Sequence, residues 1–342
     1  MPLVSGDVSG DLTSALAALT CAAIVTVAEP VLIPLLRRAA VDVPNGRSSH
    51  SVPTPRGGGA PVAVGLVLAA LLLMHGTVAL AFAGAVAAFG AMGFVDDMAS
   101  LPAGRRLLLQ GLASFAVAAV LVTRLHLPGA VLIAGVIVIA VWIIGLVNAF
   151  NFMDGVNGIS GAHALIGGAA YACLGWLRPD SFLAAAGAAV AAGGLAFLPW
   201  NALRARVFLG DAGSYGLGAA LAILAAYSVT RHIPLEAALA PLGLYLADTA
   251  WTLQRRIRAG ERVFEAHRTH TYQQLCDVGW SHQRVAAVTA GVTVMLCVLG
   301  AASLTGHPGL RVGADLVALC LLGAYLRSPV LFGRAGALAE VA

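Results

Sequence analysis

The chain has no lysine and very little charge. Of its 342 residues, 11% are charged and 59% are hydrophobic, and all 20 basic residues are arginines. Soluble globular domains carry about 25% charged residues, so the composition excludes that class. Because no basic soluble module is present, nucleic acid is excluded as a partner. The five cysteines lack the spacing of a metal site, and we interpret them as small packing residues.

Basic residues are also missing from the N-terminal segment MPLVSGDVSGDLTS, so no cleavable signal peptide is predicted. Apolar runs long enough to span about 30 Å of hydrocarbon recur along the whole chain. They predict an all-α, polytopic membrane bundle that forms a single domain over residues 1–342. We expect about eleven transmembrane helices, near 12–36, 60–75, 77–95, 107–123, 128–148, 159–177, 181–200, 213–230, 234–253, 284–305 and 310–328.

The arginines predict the orientation of this bundle. When connections are assigned alternately to two sides, one side receives only Arg124, Arg178, Arg231 and Arg311. The arginine-rich side is cytoplasmic by the positive-inside rule, which places the N-terminus outside and the C-terminus in the cytoplasm. The polar cytoplasmic connections lie near 37–59, 96–106, 148–158, 201–212 and 254–284.

Aspartates concentrate at these connections, where charge beside hydrocarbon is costly unless it has a function. Asp96 and Asp97 end an apolar run in GFVDDM, and two adjacent carboxylates repel unless a cation compensates. The alternative is a solvated helix end. In NAFNFMDGVNG, a spacing of three places Asn148, Asn151 and Asp154 on one helical face. Their oxygen atoms suit Mg²⁺ or Mn²⁺, although Asn and Gly also simply end helices.

Two further groups of residues complete the cytoplasmic face. FLGDAGSYGLG places Gly210, Asp211 and Ser214 just before a helix of small residues. A helix N-terminus there would attract phosphate, and Asp211 is either a metal ligand or the N-cap of this helix. The cationic candidates in the two long loops are Arg47, His50, Arg56, His267, Arg268 and His270. In the loop 254–284, arginine and histidine together suit a diphosphate. For the loop 37–59, the alternative is a stiff loop whose arginines set the topology.

Five segments, taken in chain order, resemble the polytopic polyprenyl-phosphate N-acetylhexosamine-1-phosphate transferases of glycosyltransferase family 4. The segments are RSSHSVPTPRGGG, GFVDD, NAFNFMDGVNG, FLGDAGS and HRTHTYQQL. The segments span residues 47–275, and HRTHTYQ looks more like the O-antigen and teichoic-acid initiating branch. The resemblance implies transfer of an N-acetyl-amino-sugar 1-phosphate from a UDP-sugar to polyprenyl phosphate at the bacterial cytoplasmic membrane. The products would be polyprenyl-diphospho-sugar and UMP, at the initiating step of cell-envelope glycan synthesis. The implied partners are a UDP-amino sugar and polyprenyl phosphate, with a homodimer left open.

The resemblance also implies roles for single residues. Mg²⁺, with Mn²⁺ as an alternative, would be held by Asp211 together with Asn151. Asp96 or Asp97 would orient or deprotonate the lipid phosphate, and Asp154 would orient the nucleotide sugar or the metal shell. The implied substrate-binding residues are Asn148, Gly210, Ser214, Arg56, His267, Arg268 and His270.

Two positions depart from the family pattern. Ser100 stands where the family often has Lys or Asp, and Asn157 replaces the second acid of its DGxDG segment. The loss of both charges makes an inactive scaffold of a glycan assembly complex one alternative. A membrane transporter is another, because acids and glycine-interrupted helices also mark ion pathways. Asp248, with Arg255 and Arg256 one or two turns further on, is expected to brace the second long loop.

Overall fold

The computed structural model describes residues 8–44, 52–125, 128–262 and 267–339. The prediction of an all-α membrane protein is confirmed, because eight helices in the described ranges are long and apolar enough to cross a membrane. They are α1 (Val8–Ala39), α3 (Thr77–Ala99), α4 (Ala103–Thr123), α5 (Gly129–Met153), α7 (Ser181–Asn201), α8 (Gly210–Thr230), α12 (His282–Ala301) and α13 (Pro308–Ala339).

The remaining helices are shorter or more polar. They are α2 (Ala60–Leu73), α6 (Ile159–Leu177), α9 (Leu235–Leu239), α10 (Gly243–Arg258) and α11 (Thr271–Asp277). Two 3₁₀ segments, Ala240–Leu242 and Ala302–Thr305, follow α9 and α12. The predicted count of eleven spans and the predicted orientation therefore stay predictions. Helix α11 was not predicted, because it lies within the polar loop 254–284.

The run predicted as one helix over 234–253 is broken into α9, a 3₁₀ turn and α10. Pro241 explains the break, because proline lacks an N–H group and its ring clashes with the carbonyl four residues earlier. Helix α10 then continues to Arg258, beyond the predicted end. Asp248, on α10, is fully buried.

Helix α8 is the centre of the bundle. Its most apolar window is 89% buried, whereas the corresponding window of α13 is 11% buried. The small residues of α8 allow this, since Gly and Ala let neighbouring backbones approach closely in a membrane bundle. A Cβ atom at Gly93 of α3 would collide with the backbone oxygen of Asp211, and one at Gly59 would collide with the backbone of Gly213. The start of α8 is therefore locked against α3 and against the chain that enters α2.

The segment before α2 is fixed by a short sheet. Strand β1 (Val41–Asp42) pairs antiparallel with β2 (Thr54–Pro55). The chain then runs alongside the residues before α8: Phe208 N donates to Pro55 O at 2.8 Å, and Gly58 N donates to Phe208 O at 2.9 Å. These bonds hold Arg56 at the end of the bundle where α3 and α5 finish and α8 begins.

Candidate active site

Asp97 caps α8 from the last turn of α3. Its Oδ1 accepts a hydrogen bond from Asp211 N and its Oδ2 accepts one from Ala212 N, both at 3.0 Å. The first N–H groups of a helix have no partner within the helix, so a buried carboxylate there satisfies them and interacts favourably with the helix dipole. Gly210 makes the approach feasible: its φ is +71°, and a Cβ there would lie 2.6 Å from Asp97 Oδ2.

This geometry excludes one of the two interpretations of Asp211. The N-cap alternative is wrong, because Asp211 lies inside the first turn of α8 and Asp97 is the residue that caps the helix. The expectation of a phosphate on these N–H groups is also wrong for Asp211 and Ala212, since the Asp97 carboxylate already takes their hydrogen bonds.

Asp96 has different partners from its neighbour. Arg106 Nη1 lies 3.1 Å from its Oδ2, the Tyr215 hydroxyl donates to the same oxygen at 3.0 Å, and Leu101 N donates to Oδ1 at 2.6 Å. Only 4% of Asp96 is exposed. Sequence reasoning missed both side-chain partners: Arg106 entered only the orientation argument, and Tyr215 was quoted within FLGDAGSYGLG without a role.

Asp211 and Asn151 meet, as the sequence predicts. Asn151 Nδ2 donates to Asp211 Oδ1 at 2.7 Å and to Ser214 Oγ at 2.9 Å. Asp211 is half-buried, and the carboxylates of Asp96 and Asp97 are close enough to act on it electrostatically. Three carboxylates therefore converge where α3, α5 and α8 meet. Like charges so close together favour binding of a cation.

Arg56 contributes positive charge at the edge of this cluster. Its Nε donates to the backbone oxygen of Asp97 at 3.1 Å and lies 3.9 Å from Asp97 Oδ1. About a third of the Arg56 side chain, 36%, is exposed. Arg47 and His50, from the same predicted loop, lie outside the described residues.

Asn148 faces a neighbour that the sequence did not indicate. Its Nδ2 donates to Gln110 Oε1 of α4 and to the backbone oxygen of Ile144, both at 2.8 Å. Gln110 is almost completely buried. Asn148 therefore ties α5 to α4 about one turn below Asn151, while its own side chain stays half-buried.

Asp154 follows the last residue of α5 and is half-buried. Burial raises the pKa of Asp154 to about 7; the charge of Asp97 also raises it, and Ser160 opposes the shift. The turn after it depends on Gly155, where a Cβ would collide with the Tyr272 hydroxyl. That hydroxyl donates to the backbone oxygen of Phe152 at 2.9 Å, so the end of α5 is joined to α11.

The loop that carries the two histidines is fastened through Asp248. Asp248 Oδ1 accepts a hydrogen bond from Thr271 N at 3.0 Å and lies 3.2 Å from His270 Nδ1. Its Oδ2 accepts the Tyr325 hydroxyl of α13 at 2.9 Å. Arg255 Nη2 adds a bond to Thr269 O at 2.8 Å. These contacts give Asp248 and Arg255 the bracing geometry expected from the sequence.

The predicted diphosphate-binding residues of this loop differ in exposure. His270 is 2% exposed, and His267 stacks on it with 5.0 Å between ring centroids. Burial lowers the pKa of His267 to about 4, with further contributions from His270 and Arg256. His267 is therefore neutral at pH 7 and contributes no positive charge to the site. Arg268 is half-buried and pairs with Asp277 at 2.9 Å, so its guanidinium brings positive charge to the loop.

The structure thus brings most predicted site residues to one end of the bundle. Arg56, Gly210, Ser214 and Asn151 lie with Asp96, Asp97 and Asp211 in one network of contacts. The histidine loop, residues 267–275, contacts this network through the Phe152 ring, whose centroid is 6.1 Å from that of His270. Tyr272, which the sequence did not single out, connects the two parts.

Comparison with known proteins shows the family of this chain. A profile for glycosyl transferase family 4 matches residues 79–229. Decaprenyl-phosphate N-acetylglucosaminephosphotransferase of Mycobacterium leprae (strain TN) is 31% identical over 332 residues, covering 82% of this chain and 81% of that protein. A probable undecaprenyl-phosphate N-acetylglucosaminyl 1-phosphate transferase of Bacillus subtilis (strain 168) is 28% identical over 274 residues, covering 74% and 75%.

A third relative is the phospho-N-acetylmuramoyl-pentapeptide-transferase of Geobacillus sp. (strain WCH70). It is 29% identical over 309 residues, which cover 81% of this chain and 93% of that protein. The matched ranges of all three relatives include most of this chain, and the family profile includes the acidic pair, the end of α5 and the start of α8. The chain therefore belongs to glycosyl transferase family 4.

Proposed function

We propose that the protein transfers an N-acetyl-amino-sugar 1-phosphate from a UDP-sugar to polyprenyl phosphate. A lipid phosphate oxygen would attack the β-phosphorus of the UDP-sugar. The new P–O bond forms as the bond from that phosphorus to the bridging oxygen breaks, so that UMP leaves with the bridging oxygen. The names of the relatives support this reaction, since they are polyprenyl-phosphate sugar-phosphate transferases or act on a phospho-sugar peptide.

The observation that carries the proposal is the half-buried Asp211 carboxylate beside two buried, fixed carboxylates. Asp97 is held by two backbone N–H groups and Asp96 by Arg106, Tyr215 and a backbone N–H group. The Asp211 carboxylate accepts a hydrogen bond from Asn151, interacts with the side chain of Asp96, and is only half-buried. Phosphoryl transfer requires charge neutralisation and alignment more than covalent catalysis, and this arrangement suits that requirement.

The donor set fits Mg²⁺. Within the described ranges, no three His, Cys, Asp or Glu side chains surround a common metal position. Mg²⁺ does not need such a cage, because it is commonly bound by one or two carboxylates together with substrate phosphates. Asp211, with Asn151, would hold it in this protein, and Mn²⁺ is the alternative. The bound metal ion would neutralise the negative charge of the diphosphate oxygens.

The other residues divide into binding and positioning groups. Arg56 and Arg268 provide positive charge for phosphate oxygens, whereas neutral His267 would contribute a hydrogen bond. Asp97 positions Asp211 by capping α8, and Asp96 orients the lipid phosphate from beside Arg106. Asp154 would orient the nucleotide sugar. Asn148, Gly210, Ser214 and His270 shape the surrounding surface.

The site faces the cytoplasm in our proposal, and the membrane is the bacterial cytoplasmic membrane. The arginine bias supports this orientation, since the acidic cluster lies at the end of the bundle where most arginines occur. A nucleotide sugar is made in the cytoplasm and a polyprenyl phosphate presents its headgroup at the membrane surface, so both substrates could reach the same end of the bundle.

One assay tests the function directly. The purified protein in detergent is mixed with undecaprenyl phosphate, Mg²⁺ and a panel of UDP-amino sugars, and UMP release is measured. We expect release with at least one UDP-N-acetylhexosamine, dependent on both the lipid phosphate and the metal. The most active sugar in the panel identifies the donor. No release with any donor would favour the inactive scaffold.

The metal assignment has its own variant. Asp211→Asn keeps the size of the side chain and removes the charge, so we expect UMP release to fall at least about a hundredfold, as when a preorganised electrostatic group is lost. Asp11→Asn, at an exposed position on α1, is the matched control and should keep full activity. Activity of Asp211→Asn close to wild type would remove Asp211 from the metal site.

A further inference from the structure

Asp154 has buried polar neighbours that take no part in the proposed transfer. Three side chains form this group: Ser160 and His163 of α6 and Tyr245 of α10. They are 2%, 3% and 0% exposed. Ser160 and His163 lie three residues apart, so they share one face of α6. These three residues are the inner polar cluster.

The turn after α5 brings the start of α6 back to Asp154. Gly158 has a φ of +82°, a left-handed conformation that glycine adopts without strain. Its N–H group donates to Asn201 Oδ1 of α7 at 2.6 Å, so the first turn of α6 is fixed against α7. Ser160 then lies between two partners, because its hydroxyl interacts with the carboxylate of Asp154 and with the hydroxyl of Tyr245.

Ring stacking fixes the other two side chains of the cluster. The imidazole of His163 lies on the Tyr245 ring, with 3.6 Å between the ring centroids and 13° between the planes. The buried Phe150 ring packs against both, and its centroid is 5.8 Å from that of His163 and 5.4 Å from that of Tyr245. The Tyr245 hydroxyl and the imidazole nitrogens are therefore held in place by the packing of three rings.

Four buried polar atoms of the cluster lack a protein partner in direct hydrogen-bonding geometry among the described residues. They are Ser160 Oγ, Tyr245 Oη and both ring nitrogens of His163. A buried polar group without a hydrogen bond costs about 1–3 kcal/mol, so four in one place are costly unless a further molecule bonds to them. Buried water is the usual partner of such groups, and each molecule makes about three hydrogen bonds.

We propose that the inner polar cluster binds ordered water that bridges it to Asp154 and fixes the direction of the Asp154 carboxylate. One carboxylate oxygen then faces the bridging water, and the other is left for the nucleotide sugar. Ser160 and Tyr245 are positioning residues, because they act on the substrate through Asp154. This role in substrate binding rests on the proposed function, whereas the water site itself does not.

Two measurements on the purified full-length protein test the water site without any substrate. A crystal or cryo-EM structure at a resolution that shows ordered water should contain a water molecule bonded to Ser160 Oγ and the Asp154 carboxylate. Ser160→Ala and Tyr245→Phe each remove one hydroxyl, and we expect each to lower Tm by a few degrees. If nothing bonds to these hydroxyls, their removal relieves an unpaired buried group and Tm is unchanged or higher.

Ser114→Ala is the matched control for these variants. Ser114 of α4 is fully buried, and its hydroxyl also lacks a hydrogen-bond partner in the described part of the chain. We expect the Tm changes of Ser114→Ala and Tyr245→Phe to add. Those of Ser160→Ala and Tyr245→Phe should sum to more than the loss in the double variant, because both hydroxyls hold the same water. A higher Tm in both cluster variants, or no water density beside Ser160, would overturn the water site.

Kinetics test the link from the cluster to Asp154. With the donor that the UMP-release assay identifies, Ser160→Ala should raise the KM for the UDP-sugar about tenfold, the effect of one lost hydrogen bond to a charged group, and change kcat much less. A loss of packing alone would reduce the amount of active enzyme and leave KM unchanged. Adding Ser160→Ala to Asp154→Asn should raise KM no further.

The outcomes separate this inference from the proposed function. An unchanged KM in an active Ser160→Ala variant would overturn the positioning role and leave the transfer reaction intact. A wild-type protein that releases no UMP with any donor would overturn the transfer reaction, and with it the positioning role. The Tm changes and the water density would still decide the water site in that case, since neither requires a substrate.

Discussion

The α3–α8 seam, defined here by Gly93, Asp96, Asp97 and Asp211, and the histidine loop, residues 267–275, hold their functional groups in different ways. In the seam, backbones are in direct contact, and Asp97 is bonded to backbone N–H groups. In the loop, the polypeptide is fastened by side chains, chiefly the buried Asp248 and Tyr272. The seam is fixed by contact between backbones, whereas the loop is fixed by side-chain hydrogen bonds and by the burial of Tyr272 and Leu275.

This difference fits a division of work in the proposed reaction. Groups that bind the metal and align the reacting phosphates need positions fixed within about 0.5 Å. Groups that admit and release a nucleotide sugar need to move, and a segment held by side-chain hydrogen bonds can move more readily than two helices in backbone contact. We therefore expect changes in the seam to affect stability and turnover together, and changes in the loop to affect mainly substrate affinity.

The strongest test of the seam is Gly93→Ala. The added Cβ would collide with the backbone oxygen of Asp211, so α3 and α8 must separate. Overpacking a tight contact costs about 1–3 kcal/mol, and here it also displaces the carboxylate that we propose to bind the metal. We expect a large drop in Tm in detergent and loss of UMP release. Gly84→Ala, on the same helix with open space around it, should change neither.

Asp97→Asn tests whether the aspartate acts through α8. The amide oxygen can still accept one backbone N–H group, but the amide nitrogen cannot accept the other, and an unsatisfied buried donor costs about 1–3 kcal/mol. We expect a lower Tm and a fall in kcat of about a hundredfold, measured by UMP release. A variant with wild-type Tm but no activity would instead make Asp97 a direct participant in the chemistry.

The sequence predicted which aspartates belong to the site, but it did not predict their hydrogen-bond partners in the seam. Asp96 and Asp97 are adjacent and chemically identical, and only the three-dimensional path of α8 decides that Asp97 caps it while Asp96 meets Tyr215. A partner at a separation of more than a hundred residues leaves no local periodic signal. The sequence contains Gly93, but it does not show that this glycine contacts the backbone of α8.

The same limit applies to the helices. Hydropathy located the apolar runs well, because each long helix must satisfy its own backbone in lipid. It did not predict the break at Pro241, because the many apolar residues of the run 234–253 predicted one continuous helix. Nor did it find α11, a seven-residue helix whose position depends on Asp248 and Tyr272 rather than on its own composition.

Asp248→Asn tests the loop. Asn keeps one oxygen acceptor but cannot serve Thr271, His270 and Tyr325 as the carboxylate does. We expect the KM for the UDP-sugar to rise about tenfold, with a smaller change in kcat, and faster proteolysis within the loop. Tyr325→Phe, which removes one donor, should show a weaker form of the same effect. An unchanged KM with a collapsed Tm would place Asp248 in the rigid part of the protein.

The smallest expected effect concerns Asp154, which lies between the two regions. Its pKa of about 7 exceeds the value of about 3.9 for an unfolded chain. The folded protein therefore binds more protons than the unfolded one between about pH 4 and 7, and its free energy of unfolding decreases as the pH rises through this window. Asp154→Asn should show a flatter dependence of Tm on pH than wild type and Asp11→Asn. Equal slopes in all three proteins would mean that Asp154 titrates alike in both states, as a solvated group does.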